Sequence, residues 1–71
     1  MFIVNLKFSY EAPHESYVFL TREEAEAKFD EKATGGDLGM KFDIIAMYEI
    51  VPGENYLLTS PIRWQGWLDL K

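Results

Sequence analysis

Cysteine is missing altogether from the 71 residues, so no disulfide staples the chain and no thiolate can hold zinc. Histidine occurs once, at His14, which excludes a multi-histidine metal site within one chain. Nucleophilic catalysis would have to recruit that histidine with Ser9 or Ser16 and Glu15. Nothing nearby suggests an oxyanion hole, and Pro13 sets His14 in a loop that is expected to be exposed. No apolar run approaches the ~18 residues of a membrane span. Met1 to Lys7 has neither a basic region nor a long apolar core, so no signal peptide is expected there and a cytoplasmic location is. Basic residues are scarce as well. Seven Lys and Arg face twelve Asp and Glu, for a net charge of -5, which disfavours nonspecific binding to nucleic acid or anionic lipid. A basic protein is the natural electrostatic partner, although the same charge would also serve solubility alone.

The length allows a single domain, residues 1–71. Hydrophobic residues make up 48% and aromatic residues 15%, enough for a packed core and too much for a disordered chain. A domain this small, without disulfides or metals, gains most from self-association, and a homodimer is a natural expectation.

Phe2, Val4, Leu6, Phe8 and Tyr10 alternate with Ile3, Asn5, Lys7 and Ser9, the period of a strand. A polar loop, Glu11 to Ser16, leads to a second strand over Tyr17-Val18-Phe19-Leu20, expected to pair with the first as a hairpin. Thr21-Arg22-Glu23-Glu24 fits a capping box, with Leu20 placed to staple against Ala25. The helix should run to about Ala33 and stop at Thr34-Gly35-Gly36, with Ala25 and Phe29 on its buried stripe and Glu24 paired to Lys28. Phe42 to Val51 reads as a third strand, Pro52-Gly53 as the centre of a type II turn, and Tyr56-Leu57-Leu58-Thr59 as a fourth strand ended by Pro61. The apolar tail, Ile62 to Lys71, fits either a short strand or an irregular arm. The fold class is therefore α+β: β-β-α-β-β, an antiparallel sheet packed on one helix. One helix covers one face of such a sheet. Either Ile45, Met47 and Val51 or Ile44, Ala46, Tyr48 and Ile50 must look away from it, towards the Trp64 and Trp67 tail or a second copy.

Charge is unevenly placed. Residues 11 to 37 hold Glu11, Glu15, Glu23, Glu24, Glu26, Asp30, Glu31 and Asp37 against Arg22, Lys28 and Lys32, and the rest of the chain balances. At ~100° per residue, Glu23, Glu26 and Asp30 line one outward flank of the helix, with Glu24 and Glu31 towards its back. Such a line, ~10 Å long at about 1.5 Å per residue, can present carboxylates much as a nucleic-acid backbone presents phosphates. The plainer reading is a solvated helix face.

Other chemistry has little support. Gly35-Gly36-Asp37-Leu38-Gly39 follows a helix instead of opening one, so it lacks the N-terminus that cradles phosphate. Asp37 and Asp43 do not make a calcium loop. A chain of this size hardly encloses a pocket that would split the pKa values of paired carboxylates. No catalytic residue, metal site or cofactor is expected, and no enzyme activity. Trp64 and Trp67 suit either tail packing or an interface. Direct nucleic-acid stacking is a poor reading in an acidic chain.

The size, the missing cysteine, the element order and the helix start Thr21-Arg22-Glu23-Glu24-Ala25-Glu26-Ala27 resemble the small acidic proteins that lytic phages make to disable host proteins. Among these the chain is most similar to the DNA mimics that inhibit the nucleoid protein HU. The resemblance implies a non-enzymatic inhibitor acting in the host cytoplasm. On the residues themselves, Glu23, Glu26, Asp30 and Glu31 would carry the contacts to a basic, DNA-binding partner, with Asp37 and Glu15 at the edges. Reversing Glu23, Glu26 and Asp30 to lysine should then abolish binding. A rival reading is an anti-defence or regulatory protein that docks through apolar surface at Trp64, Trp67, Tyr56 and Met47. A third is a structural subunit that assembles with itself.

Overall fold

The structure, a computed structural model, describes residues 1–67; the end of the apolar tail, 68–71, lies outside the described residues. Strand β1 (Phe2–Lys7) forms a hairpin with β2 (Glu15–Phe19); helix α1 (Arg22–Thr34) follows, then β3 (Ile44–Glu49), a 3-10 turn at Tyr56–Leu58, and β4 (Arg63–Gly66). The four strands form one antiparallel sheet in the order β2-β1-β3-β4, with α1 across one face. The α+β class and the single sheet-on-helix architecture agree with the sequence pattern.

Parity settles which residues meet the helix. Val4 pairs with Met47 and Leu6 with Ile45, and these four are buried under Ala25 and Phe29. Leu38 and Phe42, from the loop after the helix, complete this core. Burying a side chain such as Phe29, 1% exposed, stabilises the fold by about 1.5–3 kcal/mol. The opposite set, Ile44, Ala46 and Tyr48, looks away from the helix together with Ile3, Asn5 and Lys7 of β1, Val18 of β2 and Trp64 of β4.

The helix begins as its sequence predicts. Thr21 is the N-cap, and its hydroxyl accepts from the Glu24 N–H at 3.3 Å. Two local expectations fail. Leu20 is largely exposed and does not staple to Ala25. Lys28 pairs with Glu31 instead of Glu24, whose carboxylate accepts the Thr21 hydroxyl at 2.9 Å.

The fourth strand is the main correction. Tyr56 to Thr59, expected to be that strand, instead holds the 3-10 turn Tyr56–Leu58 with Thr59 as its cap, and the strand forms from the tail. Asn55 explains the difference. Its side-chain oxygen accepts from the Leu57 N–H at 3.1 Å, and both the N–H and the hydroxyl of Thr59 donate to the Tyr56 carbonyl. These local bonds offer the backbone an alternative to a ladder. The ladder goes instead to the segment after Pro61: Ile62 N–H donates to the Met47 carbonyl at 2.7 Å and Trp67 N–H to that of Asp43 at 2.8 Å. Pro52-Gly53 does form the expected turn. Glu54 N–H donates to the Val51 carbonyl, and Gly53 takes φ +87°.

Candidate functional site

Two surfaces compete for a functional role: the acidic helix side and the sheet face turned away from the helix. On the helix, the six carboxylates expected to meet a partner divide into two groups. Glu26 and Asp30 turn towards the sheet's last strand, where Arg63 reaches them at 3.3 and 2.9 Å. Arg22 also approaches Glu26, at 3.8 Å. Glu31 takes Lys28 at 2.6 Å, and Glu15 lies 3.9 Å from Lys32 while accepting the Tyr17 hydroxyl. Glu23 and Asp37, by contrast, have no ion pair among the described residues, and neither has Glu24.

Position explains this division. The helix lies across the sheet, and β4 carries Arg63 on the helix-facing parity beside Met47. Its guanidinium sits 4.2 Å from the centre of the Phe29 ring, so the residue that reaches the acids also covers the core. Lys28 and Lys32 fold over the other flank and lie 5.0 and 5.5 Å from the Tyr17 ring centre.

Two titrating groups respond to this arrangement. The hydrogen bond from Lys28, then its charge, holds the Glu31 carboxyl below its ordinary value. Lys32 is pulled both ways. Loss of hydration lowers it, but the neighbouring Tyr17 and the carboxylates of Glu15 and Glu31 together raise it above the usual lysine value.

The sheet face is different in kind. At its centre Asn5 is 2% exposed, accepts from the Ser16 hydroxyl at 2.7 Å and donates to the Tyr56 hydroxyl at 3.3 Å. Tyr56 packs edge-on against Tyr48, with ring centres 5.2 Å apart. The 3-10 turn thus reaches over part of the face, and beside it lies a groove of about 130 Å³ lined by Asn5, Lys7 and Pro13 as well as by Ile44, Ala46, Tyr48, Leu57 and Trp64. That volume is well below the ~300–1,000 Å³ of a small-molecule site.

The four apolar residues expected to act together are divided by this geometry. Trp64 and Tyr56 belong to the open face. Met47 is fully buried beneath the helix, and Trp67 packs on the core from the same side. Val18 and Leu57, which join Trp64 on the open face, carried no distinct sequence signal; only strand parity and the 3-10 turn put them there. His14 is exposed and stacks on Phe8 at 5.5 Å. Among the described residues no helix is long and apolar enough to cross a membrane. Compared with known protein families, curated proteins and solved structures, the chain matches none.

Proposed function

We propose that the chain is a non-enzymatic binding protein that offers its acidic helix side to a basic, DNA-binding protein of the HU type. It would occupy the surface that otherwise holds DNA, in the cytoplasm where that partner works. Host takeover of the phage kind is the setting in which such an inhibitor makes sense.

The segregation of charge carries this reading. Residues 11 to 37 hold the whole net charge of -5, and the sheet face turned from the helix holds almost none. Arg63, brought in from β4, offsets one of these negative charges. Asp30 and Glu31 keep side-chain exposures of 63% and 62% even while paired. Surface pairs of this kind contribute only about 0–1 kcal/mol, so a multivalent basic surface can exchange with them at small cost. Glu23 and Asp37 are available without exchange.

The test is displacement of fluorescent duplex DNA from a basic protein of that type, followed by anisotropy. Displacement should be strong at low salt and weaken steeply as salt rises past ~0.1 M, where screening acts within about 10 Å. Glu23, Glu31 and Asp37 are the residues to reverse to lysine together. Reversal of Glu26 or Asp30 would also undo the contacts of Arg63 and confuse folding with binding. A triple variant that displaces DNA as well as the wild type refutes the charge account.

A further inference from the structure

We propose that the segment from Val51 to Ser60, which carries the 3-10 turn, is a latched strap. Tyr56 holds it over the centre of the sheet face turned away from the helix, and it lifts as a unit while the core stays folded. Three observations carry this.

The first is how the strap is held. The sheet pins the chain on either side of it, with Ile50 N–H donating to the Met1 carbonyl at 2.8 Å and Ile62 N–H to the Met47 carbonyl at 2.7 Å. Between these points the backbone bonds close on the strap itself. Glu54 N–H donates to the Val51 carbonyl, Leu58 N–H to that of Asn55 and Thr59 N–H to that of Tyr56. Such bonds keep the strap's shape but do not fix its place. Tyr56 fixes it: from Val51 to Ser60 every other residue is exposed, Leu57 at 52% and Leu58 at 85%. The Tyr56 hydroxyl accepts from Asn5 Nδ2 at 3.3 Å, and its ring meets Tyr48 edge-on.

The second is the buried amide beneath it. Asn5 and its cross-strand partner Ala46 are 2% and 6% exposed, although no helix covers this face. The Ser16 hydroxyl donates to Asn5 Oδ1 at 2.7 Å, which leaves the amide nitrogen to face Tyr56. An aliphatic side chain at position 5 would accept the strap in several placements. A directed amide accepts one, the part that buried polar groups play in fixing register.

The third is that lifting the strap strands nothing. Leu57 and Leu58 are already open, so little apolar burial is lost. The groove beside Asn5, about 130 Å³, admits water, which needs only about 10–15 Å³, so the released amide is hydrated. Val4, Leu6, Ile45 and Met47 lie on the other face, under the helix, and keep their packing. The strap is therefore a unit of local opening, and the centre of this sheet face is shut by default and uncovered without unfolding.

Thiol labelling tests this, because the chain has no cysteine of its own and an introduced thiol is unambiguous. Ala46→Cys puts a thiol beside the latch, and Val4→Cys puts one under the helix. The probe is Ellman's reagent, an aromatic disulfide too large for the groove. The thiol of Ala46→Cys should react at least about a hundredfold faster than that of Val4→Cys, which waits for the core to open. Adding Tyr56→Phe, which keeps the ring and removes the hydroxyl, should speed labelling of Ala46→Cys about fivefold, the worth of one neutral hydrogen bond. It should leave labelling of Val4→Cys unchanged. Ile3→Cys, buried on the same face two residues from Asn5, carries the test if Ala46→Cys does not fold. Amide exchange of β1 reports core opening if Val4→Cys does not. Equal rates for the two thiols overturn the proposal, because the strap would then leave only when the domain unfolds. So does labelling of Ala46→Cys as fast as that of a free thiol, since the strap would then cover nothing. A Tyr56→Phe change that leaves Ala46→Cys unaffected, or that speeds both thiols alike, overturns the latch: the bond would be idle, or would serve the whole fold.

Discussion

The guanidinium of Arg63 lies 4.2 Å from the centre of the Phe29 ring and so joins the last strand to the helix through a single side chain. Its two ends then reach Glu26 and Asp30, one turn apart on α1. A contact of a cation with a ring contributes about 0.5–2 kcal/mol and each exposed ion pair under about 1 kcal/mol. Arg63→Ala should therefore destabilise the domain by about 1–3 kcal/mol, read from urea denaturation. Arg63→Lys should recover only part of this, since an ammonium lacks the planar fork that serves both carboxylates. Full recovery by lysine would show that charge alone matters and that the stacking does not.

Gly39 and Gly53 share a backbone conformation but not an environment. Their φ angles are +92° and +87°, a region that costs an L side chain about 1–2 kcal/mol. A Cβ at Gly53 would meet nothing within 4 Å, whereas one at Gly39 would fall inside the Trp67 indole. Gly53→Ala should then cost about 1 kcal/mol, and Gly39→Ala about 3 kcal/mol or more, the range of overpacking added to backbone strain. Equal losses at the two sites, measured by denaturant midpoints, would mean that Trp67 does not rest on the loop.

The contrast between these sites shows where sequence reasoning reaches. Thr21, Ala25 and Phe29 were legible because capping and helical period are local signals. Strand parity also predicted that either Ile44, Ala46 and Tyr48 or their neighbours would face away from the helix, but not that the 3-10 turn at Tyr56 would reach over them. Tyr56 to Thr59 was misread because a short apolar run fits a strand and a turn equally; the side chain of Asn55 decides between them. The acids of the helix were legible as a charge pattern, but their internal pairing was not. Arg63 stands 37 residues from Glu26, and only the position of β4 in the sheet brings them together.

Titration of Glu31 and Lys32 should show their partners by opposite signs. Glu31 is held below its ordinary value by the hydrogen bond from Lys28 and then by its charge. The stability it contributes is present above the unfolded value, near 4.3, and is lost as pH falls through the lower folded value. Lys32 is raised against its loss of hydration by Tyr17, Glu15 and Glu31. Its contribution is complete below the unfolded value, near 10.4, and is lost as pH rises through the folded one. By carbon-detected NMR the Glu31 midpoint should rise towards a peptide reference in Lys28→Met, with the charge of Lys32 still acting to lower it. In Glu15→Gln the Lys32 midpoint should fall only in part, because Tyr17 remains. A Glu31 midpoint that ignores Lys28→Met would remove the pair from solution.

Arg63 also gives the proposed function a test in which stability and affinity move in opposite directions. In the wild type its guanidinium holds Glu26 and Asp30, so a basic partner must compete for them. Arg63→Gln keeps a polar side chain of moderate length over Phe29 but removes the charge, leaving the helix side one unit more negative. If the helix side is the binding surface, Arg63→Gln should unfold at lower urea yet displace DNA from a basic DNA-binding protein more strongly. Freeing two exposed pairs is worth up to about 1 kcal/mol, a gain of several-fold at low salt. That gain should fade as salt rises, while the loss of stability from the missing ring contact persists. A variant that loses stability and affinity together would mean that the partner reads the shape of the Arg63 clasp, and that the carboxylates serve the fold alone.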